Sequence, residues 1–212
     1  LPAEMDARVF GSLAHEVMDC LNGSEEGCRL EEANEMANFL EERLESALAR
    51  RYGSRRSVPL EIQAGSLRER LRAAADIISR ERRSGWRPVR SEWAWHRESV
   101  FRIAGMNLHG KVDLLERLEG EEKYRVVDYK TSDTPSPARG AHLSKVRSNS
   151  ADPPLPECDF EEDGSVYRWS NLQLPLYALA VREVLGHEAD CAYFFKGRAT
   201  TEICEAFRAQ GL

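Results

Sequence analysis

The chain has 212 residues, of which 42% are hydrophobic and 31% are charged. This composition is typical of one globular domain and excludes an intrinsically disordered chain. The formal net charge of −6 argues against a protein that coats nucleic acid through its overall charge, and no apolar run approaches the roughly 20 residues that a membrane span needs.

Two arginine clusters offer local positive charge to a phosphate backbone despite the acidic total. Either cluster alone is more often a solvated helix end than a nucleic-acid site. The clusters are Arg50, Arg51, Arg55 and Arg56, and Arg80, Arg82, Arg83, Arg87 and Arg90.

The five cysteines form no C-x-x-C pair and have irregular spacings. This pattern favours reduced thiols, and hence a cytoplasmic protein, over a disulfide framework or a zinc site. The N-terminus lacks a signal-peptide pattern, and it begins with Leu1 rather than Met, so we expect a fragment of a longer protein.

Apolar residues at helical spacing predict three helices in the first part of the chain. The first covers 4–21 and the second covers 29–51. Ser66 followed by Glu69 forms a capping-box pattern, which predicts that the third helix opens there and ends near Gly85.

From about residue 89 the pattern changes to the two-residue alternation of β-strands. The predicted strands cover 89–96, about 99–105, about 107–116 and 124–131. Sequential strands of this kind are expected to pair within one sheet.

Residues 132–168 contain five Pro and many Ser, Asp and Glu without periodicity, which predicts a flexible insertion. Ser170 is then predicted to cap a helix that ends at Gly186, and 189–196 is the last predicted strand. The order of helices, strands, helix and strand indicates a single α/β (α+β) domain over 1–212. Its mixed central sheet is expected to be flanked by helices, with an N-terminal helical portion.

Two carboxylates and a lysine fall at the ends of neighbouring predicted strands. Asp128 and Lys130 stand two positions apart and therefore project from the same face. Asp113 ends the preceding strand, so a hairpin would bring both carboxylates together, and such a pair suits hard cations such as Mg²⁺ or Mn²⁺. A lysine beside them can stabilise an attacking hydroxide and the charge of a phosphorane. For D-x-K alone, a surface ion pair is the commoner explanation.

Three further polar residues are weak evidence for a functional site when each is taken alone. His15 lies on the first helix, and a lone helical His is more often a surface or half-buried residue than a ligand. Gln173 and Tyr177 are four positions apart, so they share one helix face, where amphipathic residues commonly mark a core boundary.

Taken in order, these patterns resemble the RecB-like branch of the restriction-endonuclease-like (PD-(D/E)xK) nuclease superfamily. Over residues 5–196 the chain looks most like the nuclease domain of AddB-type helicase–nuclease subunits. The motifs are Gly11-x-x-x-His15, Gly110-Lys111-Val112-Asp113, Val127-Asp128-Tyr129-Lys130-Thr131 and Gln173-x-x-x-Tyr177.

The resemblance implies a restriction-endonuclease-like core with a metal centre that uses Mg²⁺ or Mn²⁺. A further acidic residue would come from Glu92, with Glu98 and Glu116 as alternatives, whereas His96 and His109 have no counterpart. The implied metal ligands are His15, Asp113, Asp128 and the backbone carbonyl of Tyr129, and the implied catalytic residues are Lys130, Asp113, Asp128, Gln173 and Tyr177. Some relatives hold an iron–sulfur cluster on four cysteines, but no such set matches here, so no cluster is expected within this chain.

The implied activity is metal-dependent hydrolysis of DNA phosphodiester bonds in double-strand-break processing or recombinational repair. The implied partners are single-stranded DNA or duplex ends and a helicase portion or partner subunit, with no membrane. Two alternatives remain: a catalytically inactive nuclease-fold domain that binds DNA or a protein, and an unrelated metabolic enzyme with chance motifs. The completeness of the motif set argues against an inactive domain.

Overall fold

The structure, a computed structural model, describes residues 4–131, 139–146, 158–196 and 201–208. Within these ranges the helices are α1 (Ala7–Gly23), α2 (Glu25–Arg29), α3 (Ala33–Tyr52), α4 (Val58–Arg83) and α5 (Gln173–Leu185). The strands are β1 (Trp86–Trp93), β2 (Phe101–Ile103), β3 (Met106–Leu108), β4 (Val112–Leu118), β5 (Tyr124–Lys130), β6 (Leu143–Lys145), β7 (Asp159–Glu162), β8 (Ser165–Trp169), β9 (Ala189–Lys196) and β10 (Thr201–Phe207).

The first two predicted helices are confirmed, with ends shifted by a few residues. In α1 the side chain of Asp6 accepts a hydrogen bond from the backbone N–H of Val9, which caps the helix. Leu13, Val17 and Leu21 recur every fourth residue, and all three are buried. The apolar stripe therefore orients α1 and fixes which of its residues face the rest of the domain.

The predicted start of the third helix is wrong. α4 begins at Val58, where the Ser57 side chain accepts from the N–H of Leu60 and a proline occupies the first turn. Ser66 instead lies inside the helix. The first turns were missed because Val58 and Ile62 are 74% and 68% exposed, so they interrupt the apolar stripe on which the prediction rested.

Among the described residues, five strands form one sheet in the order β1-β4-β5-β9-β10. The β5–β9 pair is parallel and its neighbours are antiparallel, so the predicted mixed central sheet is confirmed. β10 was missed, and it pairs at the sheet edge next to β9.

The predicted strand over 107–116 is two strands, β3 and β4, separated at Gly110. A β-carbon on Gly110 would lie 1.8 Å from the Trp95 ring. Only glycine therefore lets the backbone approach this indole so closely. β3 pairs instead with β2 in a separate hairpin. The break at Gly110 means that β4 starts just before Asp113.

The large sheet is covered on both faces. Helices α1 and α4 pack against one face through residues such as Leu114, Val127 and Phe194, and α3 packs on α1 and α4. Helix α5 packs against the other face, where Val126 and Cys191 are fully buried. No helix in the described ranges is long and apolar enough to cross a membrane.

The described part of the predicted insertion contains regular structure. β6, β7 and β8 form a three-stranded sheet in the order β6-β8-β7, which the lack of periodicity in this segment did not predict. Aromatic residues on these short strands, including Phe160 and Trp169, pack onto the core beside α5. Residues 132–138 and 147–157 lie outside the described residues, and the flexibility of the insertion stays a prediction.

The predicted last helix is confirmed, but its cap is different. Ser170 does not cap α5; instead the Asn171 side chain accepts from the N–H of Gln173 at 2.8 Å. Gly186 ends the helix in the left-handed conformation, with φ of 76°. The helix therefore begins at Gln173, which lies at its very first turn.

Candidate metal centre

Three elements bring one imidazole and two carboxylates together at the edge of the large sheet. His15 comes from α1, Glu92 from β1 and Asp113 from β4. His15 Nδ1 lies 3.4 Å from Asp113 Oδ1 and 3.5 Å from Glu92 Oε1. One potential ligand atom from each residue lies within 4.8 Å of the others, a spacing that one cation could bridge.

Glu92 is held in an unusual backbone conformation. Its φ is 49°, which is costly for a residue with a side chain and is often retained at functional sites. The register of β1 and β4 pairs Ser91 with Leu114 and Trp93 with Val112, so Glu92 stands opposite Asp113. Its Oε2 makes an ion pair with Lys111.

The other oxygen of Glu92 provides a test of whether a metal fits. Oε1 is buried and has no hydrogen-bond partner among the described residues. A buried carboxylate oxygen without a donor is costly unless a cation neutralises it. Carboxylates together with an imidazole are the donors that Mn²⁺ and related divalent ions accept, so His15, Glu92 and Asp113 fit such an ion.

Asp113 also links the two central strands. Its Oδ2 accepts a hydrogen bond from the backbone N–H of Tyr129 at 2.8 Å, in addition to the His15 contact of Oδ1. The β4–β5 register pairs Leu114 with Val127, so Asp113 and Asp128 lie on adjacent strands at the same end. The expected hairpin is confirmed, but Asp113 lies at the start of β4 rather than at the end of a strand. In an antiparallel pair this position brings it next to Asp128, near the end of β5.

A second group of side chains surrounds Asp128, which is only 3% exposed. Lys130 Nζ lies 2.5 Å from Asp128 Oδ2, and Gln173 Nε2 donates to Asp128 Oδ1 at 2.8 Å. Gln173 Nε2 also donates to the Tyr177 hydroxyl at 3.0 Å. Lys130 Nζ reaches Gln173 Oε1 at 3.5 Å, so β5 and α5 hold one continuous polar network.

Burial raises the pKa of Asp128, and the nearby Asp113 carboxylate raises it further. Lys130 and His15 oppose this shift in pKa. The direction shows that the site concentrates negative charge in a poorly hydrated place. A bound cation would relieve that repulsion, which agrees with the donor set described above.

The structure brings together the six residues that the family resemblance placed in one site: His15, Asp113, Asp128, Lys130, Gln173 and Tyr177. The compact three-ligand group, however, contains Glu92 and leaves Asp128 beside it, engaged by Lys130 and Gln173. Of the acidic alternatives, Glu98 accepts from the Trp93 indole at 2.9 Å, and Glu116 accepts from Arg125 at 2.7 Å. Glu92 is therefore the candidate that the geometry selects.

Tyr129 contributes through its backbone, because its side chain points into the helical core. Its hydroxyl accepts a hydrogen bond from Asn22 Nδ2 at 2.8 Å, and burial holds its pKa well above the usual range. A ligand role for its carbonyl oxygen stays a prediction. The exposed rings of His96 and His109 stack on each other at 5.0 Å and do not belong to the three-ligand group.

Two residues near the site were missed by the sequence analysis. Tyr193 on β9 lies under Lys130, with Nζ 5.1 Å from its ring centroid. His142 accepts from the Tyr193 hydroxyl at 2.6 Å. Tyr193 resembled an ordinary strand aromatic, and His142 lies in the insertion for which no structure was predicted, so neither carried a signal.

A cavity of about 500 Å³ opens beside His15. Its walls carry basic and hydroxyl side chains and also acidic ones: Arg8, Ser12, Arg51 and Lys111, with Glu16, Asp19 and Glu92, besides Gly11 of the first motif. Such basic and hydroxyl side chains can contact phosphate oxygens. A larger cavity of about 650 Å³ lies beyond α5, and its described lining contains none of the predicted site residues.

Most arginines of the two clusters form ion pairs with acidic side chains of the same chain. Arg50 and Arg51 both contact Glu16, at 2.7 and 2.9 Å. Arg82 is only 2% exposed and donates to the carbonyl of Gly27 at 2.7 Å. These contacts favour the interpretation of solvated or structural arginines over two separate nucleic-acid patches.

Comparison with known families agrees with this site. Residues 1–210 match the family model described as the PD-(D/E)XK nuclease superfamily, so the chain belongs to that superfamily. No curated protein matches the chain. Membership supports a nuclease of the hydrolase class that binds metal, and the His15–Glu92–Asp113 group is its candidate metal centre.

Proposed function

We propose that this member of the PD-(D/E)XK nuclease superfamily is a Mg²⁺- or Mn²⁺-dependent deoxyribonuclease that hydrolyses phosphodiester bonds. One observation carries the proposal. The three potential ligands His15, Glu92 and Asp113, which gather within 4.8 Å, adjoin a second group in which Lys130 lies 2.5 Å from Asp128. A cation site and a catalytic ammonium thus stand side by side.

The proposed ligands are His15, Glu92 and Asp113, joined by Asp128 and the carbonyl of Tyr129. When bound, the ion would act as a Lewis acid toward a phosphate oxygen and favour deprotonation of water. The carboxylate-rich set suits Mg²⁺ and Mn²⁺. The imidazole nitrogen of His15 favours Mn²⁺ over Mg²⁺, because Mg²⁺ is a hard ion that prefers oxygen ligands and Mn²⁺ is a transition metal that also accepts nitrogen.

Lys130 supplies fixed positive charge at the place where negative charge develops. Asp128 and Gln173 hold its ammonium group from two sides, and Tyr177 holds Gln173 in turn. An ammonium that is already oriented needs little reorganisation when the phosphate gains charge in the transition state. This is the property expected of a catalytic lysine.

The cavity beside His15 is the proposed path of the DNA strand. Arg8 and Ser12 stand on α1 one or two turns before His15, and Lys111 stands two residues before Asp113. These groups would contact the phosphates that flank the scissile one, which positions the strand without reading its sequence. The acidic total charge makes such local contacts necessary.

The proposed biological setting rests on the family resemblance alone. A RecB-like branch with AddB-type relatives implies double-strand-break processing or recombinational repair, with single strands or duplex ends as substrates. It also implies a helicase portion or partner subunit in the same assembly.

The direct test is cleavage of end-labelled single-stranded and duplex DNA in the presence of Mn²⁺ or Mg²⁺. We expect cleavage that EDTA abolishes and that is faster with Mn²⁺. His109→Ala is a matched control, because His109 is exposed and lies outside the three-ligand group. Tight DNA binding without metal-dependent cleavage of either substrate would support the inactive binding domain instead.

A further inference from the structure

His142 is a fully buried histidine in the described part of the insertion, and both of its ring nitrogens have partners. Nδ1 lies 2.7 Å from the carbonyl oxygen of Asn171, and Nε2 lies 2.6 Å from the Tyr193 hydroxyl. Because a carbonyl only accepts, Nδ1 carries the hydrogen, and Nε2 accepts from Tyr193. The two rings stack with an interplanar angle of 14°.

Tyr193, the partner of His142 Nε2, contacts Lys130 in turn. Tyr193 is 2% exposed, and its ring centroid lies 5.1 Å from Lys130 Nζ. A cation over a buried aromatic ring is attracted by the ring's quadrupole. The position of the Tyr193 ring therefore limits where the ammonium can lie relative to Asp128.

Other contacts of His142 lead to Gln173. The carbonyl of His142 accepts from the backbone N–H of Ser170 at 2.9 Å and from the Ser170 hydroxyl at 3.1 Å. Asn171, held by His142 Nδ1, caps the N–H of Gln173. The residue at the formal cap position, Leu172, offers no side-chain hydrogen bond, so these contacts fix where the first turn of α5 begins.

We infer that His142 is a positioning residue for the nuclease reaction: through Tyr193 and Asn171 it holds Lys130 and Gln173 in place around Asp128. A buried histidine with satisfied nitrogens is often purely structural. Here its two ring contacts and its backbone contacts all lead to residues of one polar network. The inference rests on the proposed function for its catalytic consequence, but its geometric part does not.

The geometric part is tested on metal-free protein by NMR of ¹³C-labelled lysine. The chain has five lysines, and Lys130→Arg identifies the signal of Lys130. The ring current of Tyr193 should displace the ε-methylene signal of Lys130, and Tyr193→Leu gives the undisplaced value. His142→Leu should move the signal toward that value.

A second variant guards against misfolding. His142→Leu removes the hydrogen bond between His142 and the buried Tyr193 hydroxyl, which is destabilising, whereas replacing both partners by apolar groups is nearly neutral. His142→Leu/Tyr193→Phe should therefore fold, keep the aromatic ring and still shift the Lys130 signal. His187→Leu is the matched control, because His187 stacks on Tyr124 at 4.1 Å, outside the site.

The catalytic part is tested by cleavage kinetics with Mn²⁺. The double variant should lower kcat by about 10–100-fold, the range typical of lost outer contacts to a metal site, with little change in KM for DNA. A Lys130 signal that stays in place in both His142 variants would overturn the inference, as would a loss of activity that only follows the loss of folded protein. If wild-type protein cleaves no DNA but the signal moves as expected, the positioning role stands and the proposed nuclease function fails.

Discussion

The two halves of the site are built differently. In the half formed by α1, β1 and β4, His15, Glu92 and Asp113 face one another, and a buried oxygen of Glu92 has no hydrogen-bond partner within the described ranges. In the half formed by β5 and α5, Asp128 and Gln173 are bound by donors and acceptors from neighbouring elements. A cation would complete the first half. In the second half Lys130 already neutralises the buried Asp128 Oδ2, so its side chains are held in place before any cation joins them.

This difference predicts that a change in either half affects a different measurable quantity. Changes in the half with unmet acceptors should alter metal affinity and the stability gained from metal. Changes in the half formed by β5 and α5, here called the preassembled half, should alter the rate of the chemical step.

Lys130→Ala should give the largest effect. We expect kcat on DNA to fall by about 10²–10³, as when other oriented electrostatic groups are removed from a transition state. Metal affinity should change little, because Lys130 contacts Asp128 and Gln173 rather than the three-ligand group. Single-turnover cleavage and calorimetric Mn²⁺ titration measure the two quantities.

Lys123→Ala is the control for this experiment, since Lys123 is about half exposed and lies 3.9 Å from Asp190, away from the site. Wild-type cleavage by Lys130→Ala would remove Lys130 from the mechanism. A large loss of Mn²⁺ affinity in the same variant would break the distinction between the two halves.

Asp113→Ala should affect metal binding first. Its two oxygens contact His15 and the N–H of Tyr129, so the variant loses a ligand and a link between strands. We expect Mn²⁺ affinity to fall by more than about tenfold, since even outer-shell changes reach that size. Raising the Mn²⁺ concentration should restore part of the cleavage activity.

Asp76→Ala on α4 is a control for the loss of one exposed carboxylate. Unchanged Mn²⁺ affinity in Asp113→Ala, measured by calorimetry on folded protein, would contradict the proposed metal centre. Restored affinity without any restored cleavage would instead give Asp113 a role in the chemical step.

Much of this site could be predicted from the sequence because strand periodicity fixes which side chains share a face. Asp128 and Lys130 project together for that reason, and Gln173 and Tyr177 share a face of α5. The mixed sheet also followed from the order of elements. What periodicity cannot give is long-range proximity: that His15 meets Asp113 was implied only by the resemblance to a family.

The misses have physical causes as well. Glu92 could not be separated from Glu98 and Glu116, because its selection depends on a left-handed backbone (φ 49°) within β1. The small sheet of the insertion was missed because its strands are short and their apolar residues are aromatics that pack onto a core already built by α5. His142 therefore had no visible partner in the sequence.

Glu92→Gly tests whether Glu92 is a metal ligand in the half formed by α1, β1 and β4. Glycine adopts a φ of 49° without the strain of about 1–2 kcal/mol that a side chain imposes, and the variant removes a buried carboxylate. The ion pair of Glu92 with Lys111 contributes little, because the Lys111 side chain is 53% exposed. We expect the free energy of unfolding of metal-free protein to rise by up to about 1 kcal/mol, and stabilisation by Mn²⁺ to shrink.

Ala104→Gly is the matched control, since Ala104 has a φ of 48° in the turn between β2 and β3. It should gain the backbone part of the effect and keep the full response to Mn²⁺. Urea unfolding with EDTA or Mn²⁺ measures both variants. Equal stabilisation of Glu92→Gly and wild type by Mn²⁺ would exclude Glu92 as a ligand.

The smallest expected effect is a pH dependence in the preassembled half. Burial lowers the pKa of His142, and the positive charge of Lys130 lowers it further, whereas the hydrogen bond to Asn171 opposes the shift. A lowered folded pKa means that the unfolded chain binds more protons than the folded one between the two values. The contribution of His142 to stability is therefore full above about pH 6.5, the ordinary histidine value, and is lost as pH falls toward the lowered value.

Metal-free wild-type protein should accordingly lose unfolding free energy below about pH 6.5, with a slope of at most about 1.4 kcal/mol per pH unit from this one group. The double variant His142→Leu/Tyr193→Phe should lack that component, because it has no titrating group there and leaves no buried hydroxyl unpaired. Urea unfolding from pH 5 to 7.5 measures the difference between variant and wild type, and His187→Leu shows what a half-buried histidine outside the site contributes. If the difference between the double variant and wild type is constant across this range, His142 is not held neutral by its surroundings. In that case the contacts of His142 with Tyr193 and Asn171 would not require a neutral imidazole. Some other contact would then have to hold Lys130 and Gln173 in place around Asp128.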